Sequence, residues 1–476
     1  MDIKAIRLRN FRGFQDARIE LKPLTVLIGS NSAGKSSFGQ ALAALAHVHK
    51  FYVTGPQASL TPPASGDIEA WPVDLGKTND LRTEGTEGPV KIELETTGGL
   101  VELGFGGIPN TEDELLLSYI AHPTGEQSIP QKPSHKTVKI VPKEHTSDVI
   151  IEGAFHQSSY VTDSKPAIEI RRINERQWQE DKTEVSVILL GLVVKAVQHM
   201  TGTQRVLSGA ASDALSSFLE NLTYLRANRK RPARGYEDKP QRFQPIGYSG
   251  ESTPTVLLNK GQTQVKYAEP PAIPNSVDEA RTSDRKWEEK QGSLSDALNA
   301  WLLRLDIASH VEIVPPSGVS KDLQMRVSPK GQSKHDITEI GFGVSQVIPV
   351  LVAGLLQPED SLFIVDLPEA HLHPRPQSAI ADFFCSLALS GRTSLVETHS
   401  EMFFHRLRLR AAQDPRLMDN IAVYFIDPPK DGFCSKPRPV GLGFEEELRW
   451  PEGFLQEAYE TEMQINAIRQ ARNSHP

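Results

Sequence analysis

Hydrophobic and polar positions fall into short blocks along the first fifty residues, and the blocks predict strand, strand, strand, loop, helix. Residues 4–8 and 17–21 alternate or run apolar, and 24–28 form a short buried-strand run ending at a glycine. Residues 36–47 are apolar at helical spacing. The character then changes. Alternating stretches at 90–95, 137–141 and 148–153 are separated by Pro-, Gly- and Ser-rich connections, which predicts a β-rich elaboration. Residues 183–227 read mainly helical, with 185–194 also compatible with a strand. Residues 228–285 are polar and proline-rich with little periodicity, so a long loop is expected there. From Leu294 onward helix, strand and helix patterns return, ending in a helical stretch over 445–472. No internal repeat and no sustained heptad pattern is present. The pattern divides the chain into a first lobe (1–50), a β-rich elaboration (51–180), a helical and irregular insertion with a basic loop (181–290) and a second lobe (291–476).

The first loop carries chemistry. Gly29, Ser30, Asn31, Ser32, Ala33, Gly34, Lys35 and Ser36 match G-x-x-x-x-G-K-[ST] between an apolar strand and a helix. Backbone N–H groups at such a helix N-terminus point at phosphates, and glycine lets the backbone wrap closely. Lys35 is placed for the β- and γ-phosphates, Ser36 for Mg²⁺ and Ser37 for the α-phosphate of ATP. A phosphate cradle needs a carboxylate for the metal, and the apolar run 362–365 ends in Asp366. Lys35 and Asp366 are 331 residues apart (366 − 35), so one site must be closed from both ends of the chain. About twenty residues before Asp366, the stretch Gly341, Phe342, Gly343, Val344, Ser345, Gln346 precedes an apolar helix whose N-terminus would offer Gly343 and Ser345 to a second phosphate. Pro349 is expected near the first turn of that helix. A further apolar strand at 394–396 runs into Glu397, Thr398, His399 and Ser400, placing His399 to touch a γ-phosphate.

Composition narrows the setting. The 476 residues include 38% hydrophobic and 24% charged positions, ordinary for a chain that buries a core. The longest apolar runs fall short of the ~20 residues a membrane span needs. Cys385 and Cys434 are the only cysteines, and the N-terminus lacks an apolar signal core, so a cytoplasmic protein is expected. A net charge of −8 disfavours general coating of nucleic acid. One local basic cluster stands out: Arg226, Arg229, Lys230, Arg231, Arg234, Lys239 and Arg242, a candidate contact for nucleic acid or an acidic partner.

In order and spacing, the P-loop, signature-like serine, acidic strand end and switch histidine resemble ABC-type ATPase heads of the SMC, RecF and OLD class. Asn10, Phe11, Arg12, Gly13 and Phe14 look like the N-F-x-x-F turn of those heads. Residues 366–374 are similar to the E-x-P-E-x-H-L-H-P stretch of a bacterial subgroup, and Trp450, Pro451, Glu452, Gly453 and Phe454 look like that subgroup's tail. The resemblance implies an α/β P-loop head, a mixed sheet flanked by helices. It also implies a homodimer that sandwiches two ATP molecules, Ser345 of one chain completing the site built on Lys35 of the other, and it brings Arg12 to the nucleotide.

One position departs from the pattern. Such heads place a glutamate directly after the acidic strand end, where this chain has Leu367, which cannot act as a base. Glu369, two residues on, either substitutes as catalytic base beside His399 or is structural. His371 and His373 read as part of a family-typical turn. Only 77 residues (476 − 399) follow His399, too few for a Toprim nuclease domain besides the head. The leading expectation is a slowly hydrolysing ATPase, a sensor or scaffold in bacterial anti-phage defence, with a separately encoded effector such as a nuclease. A RecF-like DNA-repair ATPase and an ATP-gated assembly without turnover are the alternatives.

Overall fold

A computed structural model describes residues 3–52, 81–86, 90–97, 99–107, the strands between 115 and 206, and 210–238, 244–273, 286–317, 322–428 and 434–442. The predicted tail motif, the helix expected over 445–472, and Lys239 and Arg242 lie outside the described residues.

Two sheets organise the chain. The first has eight strands, beginning with the hairpin Ile3–Phe11 and Phe14–Glu20 and continuing through Val90–Thr96, Gly99–Gly107, Leu115–Pro123, Lys136–Lys143, Thr146–Glu152 and Ala167–Glu169. Its pairings are antiparallel except the last. The second has six strands in the order Thr223–Leu225, Leu362–Asp366, Thr393–Glu397, Leu24–Gly29, Ile421–Asp427, Lys436–Val440. All of its neighbours are parallel except the last pair. This is a mixed α/β fold, its sheet flanked by helices, as the resemblance implies.

The central strands are apolar throughout because both faces are covered, the usual reason for uninterrupted hydrophobic runs in parallel sheets. Their side chains alternate between two cores, as the two-residue strand period requires. Leu27, Leu362, Ile364 and Leu395 join one core with the helix Ser36–Tyr52, the helix Ala210–Glu220 and the inner face of the antiparallel sheet. Val26, Ile28, Phe363, Val365 and Val396 join the other, under the helices Leu294–Arg304, Phe342–Leu356, Pro374–Leu389 and Glu401–Gln413.

The structure corrects three expectations. The stretch 183–227 is not mainly helical: it carries strands Val185–Leu190, Val193–His199, Gln204–Val206 and Thr223–Leu225, and helix only at Ala210–Glu220. β-branched valines and isoleucine dominate 185–194, and tertiary pairing decided what periodicity left open. Much of the expected loop is ordered: Thr253–Lys260 is a helix, and Gln264–Glu269 pairs with Glu288–Ser293. Pro349 sits inside the helix Phe342–Leu356 rather than near its first turn. Its ring deprives the Ser345 carbonyl of the usual i+4 donor. Gly250, at φ +76°, is what lets the chain pass so close: a Cβ there would stand 2.6 Å from that of Pro349.

Candidate active site

The strand Leu24–Gly29 delivers the P-loop to the C-terminal end of the parallel strands, and three residues of the loop take left-handed backbone. Gly29 has φ +143° and Gly34 φ +92°, with Ser32 at φ 61° between them. At Gly29 a Cβ would lie 2.6 Å from the Ile426 carbonyl, and at Gly34 it would lie 3.1 Å from the Phe14 ring. Only glycine meets both demands. Phe14 thereby explains the N-F-x-x-F turn: with Asn10 and Arg12 left-handed (φ 52° and 50°), the hairpin swings Phe14 under the loop and against Phe38 at 5.3 Å. Arg12 itself donates to Gln40 Oε1 on the following helix.

Lys35 is buried, and its ammonium donates to the Gly29 and Ser30 carbonyls at 3.1 and 2.6 Å. Burial lowers its pKa, and the Glu397 carboxylate opposes that shift. A buried cation held by neutral carbonyls is poised for an anion. The neighbouring strand ends place acids opposite it. Asp366 and Glu397 are register partners across two parallel strands, and both are buried. Ser36 donates a hydrogen bond to Glu397. Burial raises the affinity of both acids for protons, and their mutual repulsion adds to the rise at Asp366. Tyr224 donates to Asp366 Oδ2 at 2.6 Å.

The turn after Asp366 has unusual backbone. Leu367 takes φ +47°, its N–H donates to the Glu397 carbonyl at 2.9 Å, and the next turn residues close on Leu367 and Glu369 carbonyls. The turn brings buried Glu369 beneath the switch segment, where its Oε1 accepts from Thr398 Oγ1 at 2.7 Å and from the His399 N–H at 3.0 Å. Its Oε2 is buried and has no partner among the described residues, as is true of Glu397 Oε2. The His399 ring reaches the Gly29 carbonyl; partial burial, with Lys35 adding to it, lowers its pKa, which keeps the imidazole neutral near pH 7.

The structure thus brings Lys35, Ser36, Asp366, Glu369, Glu397 and His399 to one place. Ser345 stands apart from them: its hydroxyl donates to the Phe342 carbonyl at 2.7 Å in the first turn of its own helix. Gly343 packs on the acidic turn, where a Cβ would meet the His371 carbonyl at 2.5 Å, and Phe342 lies edge-on to His371 at 4.8 Å. The basic cluster divides. Lys230, Arg231 and Arg234 are exposed, and Arg234 faces Glu339 at 3.8 Å. Arg226 is half-buried, and Arg229 points fully inward, its Nη2 donating to the carbonyls of Asp366 and Leu367 at 3.0 and 2.8 Å. Sequence reasoning did not single out Tyr224, placed Arg229 in an outward-facing basic cluster, and read Glu397 only as the acid that precedes Thr398 and His399.

The donor set suits Mg²⁺. Ser36, Asp366 and Glu397 offer hard oxygens, including one orphaned carboxylate oxygen, and Mg²⁺ prefers one or two carboxylates completed by phosphates and water. Among the described residues no group of three His, Cys, Asp or Glu forms a self-sufficient metal cage. No described helix is long and apolar enough to cross a membrane.

Two protein-family models match the chain. Residues 1–186 match "AAA ATPase domain", and residues 262–404 match "AAA domain, putative AbiEii toxin, Type IV TA system". Among solved structures, the SMC head bound to the C-winged helix domain of ScpA aligns over 97% of this chain and 100% of that one, at 10% identity and a TM-score of 0.42. The SMC head domain from Thermotoga maritima aligns over 92% and 99%, at 10% identity and a TM-score of 0.33. The Smc head domain with an extended coiled coil from Pyrococcus furiosus, bound to the C-terminal domain of ScpA, aligns over 98% and 99%, at 10% identity and a TM-score of 0.38. The chain is thus an ATPase of the AAA-like type, similar to these families over two separate stretches that carry the P-loop, the acidic strand end and the switch histidine.

Proposed function

We propose that this chain binds Mg–ATP at Lys35 and Ser36 and hydrolyses it slowly, using ATP to pair two heads. The supporting observation is the convergence of a buried, carboxylate-free lysine with the two acids that end adjacent strands. Bound Mg²⁺ would neutralise the charge gathering on the phosphates. Ser36 and Asp366 would hold it, with Glu397 beside them. Lys35 would give up its carbonyl partners for the phosphates, and the left-handed loop would turn its amides on them. Glu369 is the base: one oxygen is fixed under Thr398 and His399, and the orphaned one is free to take a proton from water. Neutral His399 orients the γ-phosphate.

With Leu367 where such heads place a glutamate, turnover is slow, and the ATP-held state is long-lived. A long-lived clamp suits a sensor or scaffold serving a separate effector in anti-phage defence, a role that the motif resemblance supports. The nucleic-acid alternative rests on Lys230, Arg231 and Arg234, since Arg229 faces inward. The decisive experiment is equilibrium ATP binding. Lys35→Ala removes the only cation in the loop and should abolish binding, and a variant that binds like the parent would refute the site.

A further inference from the structure

The stretch 223–230 falls between the two family matches, yet it supplies the inner wall of the site. Its short strand pairs in parallel with the acidic strand, Leu225 opposite Val365, which brings the chain to the same C-terminal end of the sheet as Asp366. Gln244 clamps it by accepting from the Tyr224 N–H and donating to the Tyr224 carbonyl at 2.9 and 2.8 Å. Arg229 then turns back into the protein. It holds the Asp366 and Leu367 carbonyls on either side of a left-handed Leu367, a strained conformation for a residue with a Cβ. Without Arg229 the Leu367 carbonyl would keep only the Ala370 N–H at 3.1 Å, and the Asp366 carbonyl would lose its guanidinium donor. Arg229 therefore supports a backbone shape that would otherwise relax.

Charge gives the same assignment. Three buried acids share this site, and two cations compensate them. Lys35 acts on Glu397, while Arg229 acts on Asp366 and Glu369. Burial lowers the Arg229 pKa to about 10, with Glu369 and Asp366 opposing the shift, so it stays charged at neutral pH. Its Nε and Nη1 have no partner among the described residues, and Glu369 Oε2 has none either. Arg229 and Glu369 act on each other through their charges, and the atoms each leaves without a protein partner are ones that ordered water can serve.

We propose that Arg229 is a positioning residue: it holds the turn at Asp366 and Leu367 in the shape that presents Glu369 to the attacking water. This rests on the hydrolytic reading above. Its lysine replacement keeps the charge but loses the rigid planar group that fixes Nη2 between the two carbonyls and carries the two further donors, Nε and Nη1.

The test uses the full chain as parent, Arg229→Lys and Arg229→Ala. ATP affinity, steady-state phosphate release and amide exchange are measured on each. Arg229→Lys should bind ATP within about threefold of the parent yet lose at least ~10-fold in kcat, a change of ~1.4 kcal/mol in the barrier. Without nucleotide, the amides of Ala370 and Leu372, which close the turn, should exchange faster in that variant, while those of the helix Ser36–Tyr52 keep the parental rate. Added guanidinium, below denaturing concentrations, should restore part of the rate to Arg229→Ala. If the alanine variant does not fold, the lysine variant decides alone. A parental kcat in Arg229→Lys, or a loss confined to ATP affinity, overturns the assignment. A parent without turnover overturns it together with the hydrolytic reading, and a working parent beside an indifferent lysine variant overturns the assignment alone.

Discussion

Two glutamates and an aspartate crowd the P-loop end of the sheet, and their proposed roles separate by what holds each. Asp366 is gripped by Tyr224 and stands at the strand end, and in the proposed mechanism its charge serves the metal. Glu369 spends one oxygen on Thr398 and His399 and keeps the other without a partner among the described residues, and in the proposed mechanism that oxygen takes the proton. Glu369→Gln can still accept both bonds through its amide oxygen, and it should bind ATP normally while hydrolysis falls ~10²-fold or more, the size of a lost general base. Asp366→Asn should also weaken Mg²⁺-dependent binding. A phosphate-release assay with an ATP titration on both variants separates the two, and parental turnover in Glu369→Gln would make Glu369 structural. The residues legible in the sequence were those whose chemistry is local. The P-loop is eight consecutive residues between a strand and a helix, and no distant contact is needed to recognise it. Tyr224 and Arg229 act on groups 142 and 137 residues away, and nothing local separates Arg229 from the exposed Lys230 beside it.

At the scale of elements, burial explains where patterning succeeded. The central parallel strands are apolar on both faces because each face has a core, so their existence and order along the chain could be read directly. Strands such as Val185–Leu190 and Val193–His199 are fixed by pairing with each other, and a short valine-rich run does not say whether a partner will arrive. The helix Ser36–Tyr52 shows how a single element ties the site to the middle of the chain. Its His47 is buried and shares a 2.8 Å hydrogen bond with the Tyr248 hydroxyl. Burial, with Lys50 adding to it, pushes the His47 pKa down to about 4 from 6.5. The unfolded chain therefore binds a proton that the folded one refuses between those values. Stability from this residue is complete above pH 6.5 and is lost as pH falls towards 4, by up to about 3 kcal/mol. Thermal unfolding should decline more steeply over that interval in the parent than in His47→Gln, which cannot titrate. Parallel declines in the two proteins would show that the histidine is not the source.

For the molecule as a whole, the arrangement of the two glycine-rich elements bears on assembly. The P-loop has its lysine, its serine and its acids from one chain, while Ser345 makes its hydrogen bonds within its own helix and with Gln346. The two are nevertheless mechanically joined. Gly343 lies against the His371 carbonyl on the acidic turn, and Gln346 Nε2 donates to the Lys230 carbonyl at 3.4 Å, next to Arg229. A helix N-terminus carrying partial positive charge suits the γ-phosphate of a second chain's ATP, and Phe342 beside it is a partly exposed aromatic ring. Ser345→Arg would place a bulky side chain at a position 9% exposed, in the first turn of that helix. In the head-to-tail pairing proposed here, the arginine meets the facing P-loop and keeps the heads apart, whereas Lys35 and Ser36 of the same chain are untouched. Each chain should therefore bind ATP with parental affinity but fail to associate on adding it. Sedimentation velocity with and without Mg–ATP, on parent and variant at equal ATP occupancy, provides the measurement. Nucleotide-driven association that survives Ser345→Arg would refute the pairing through this helix and leave each head to work alone.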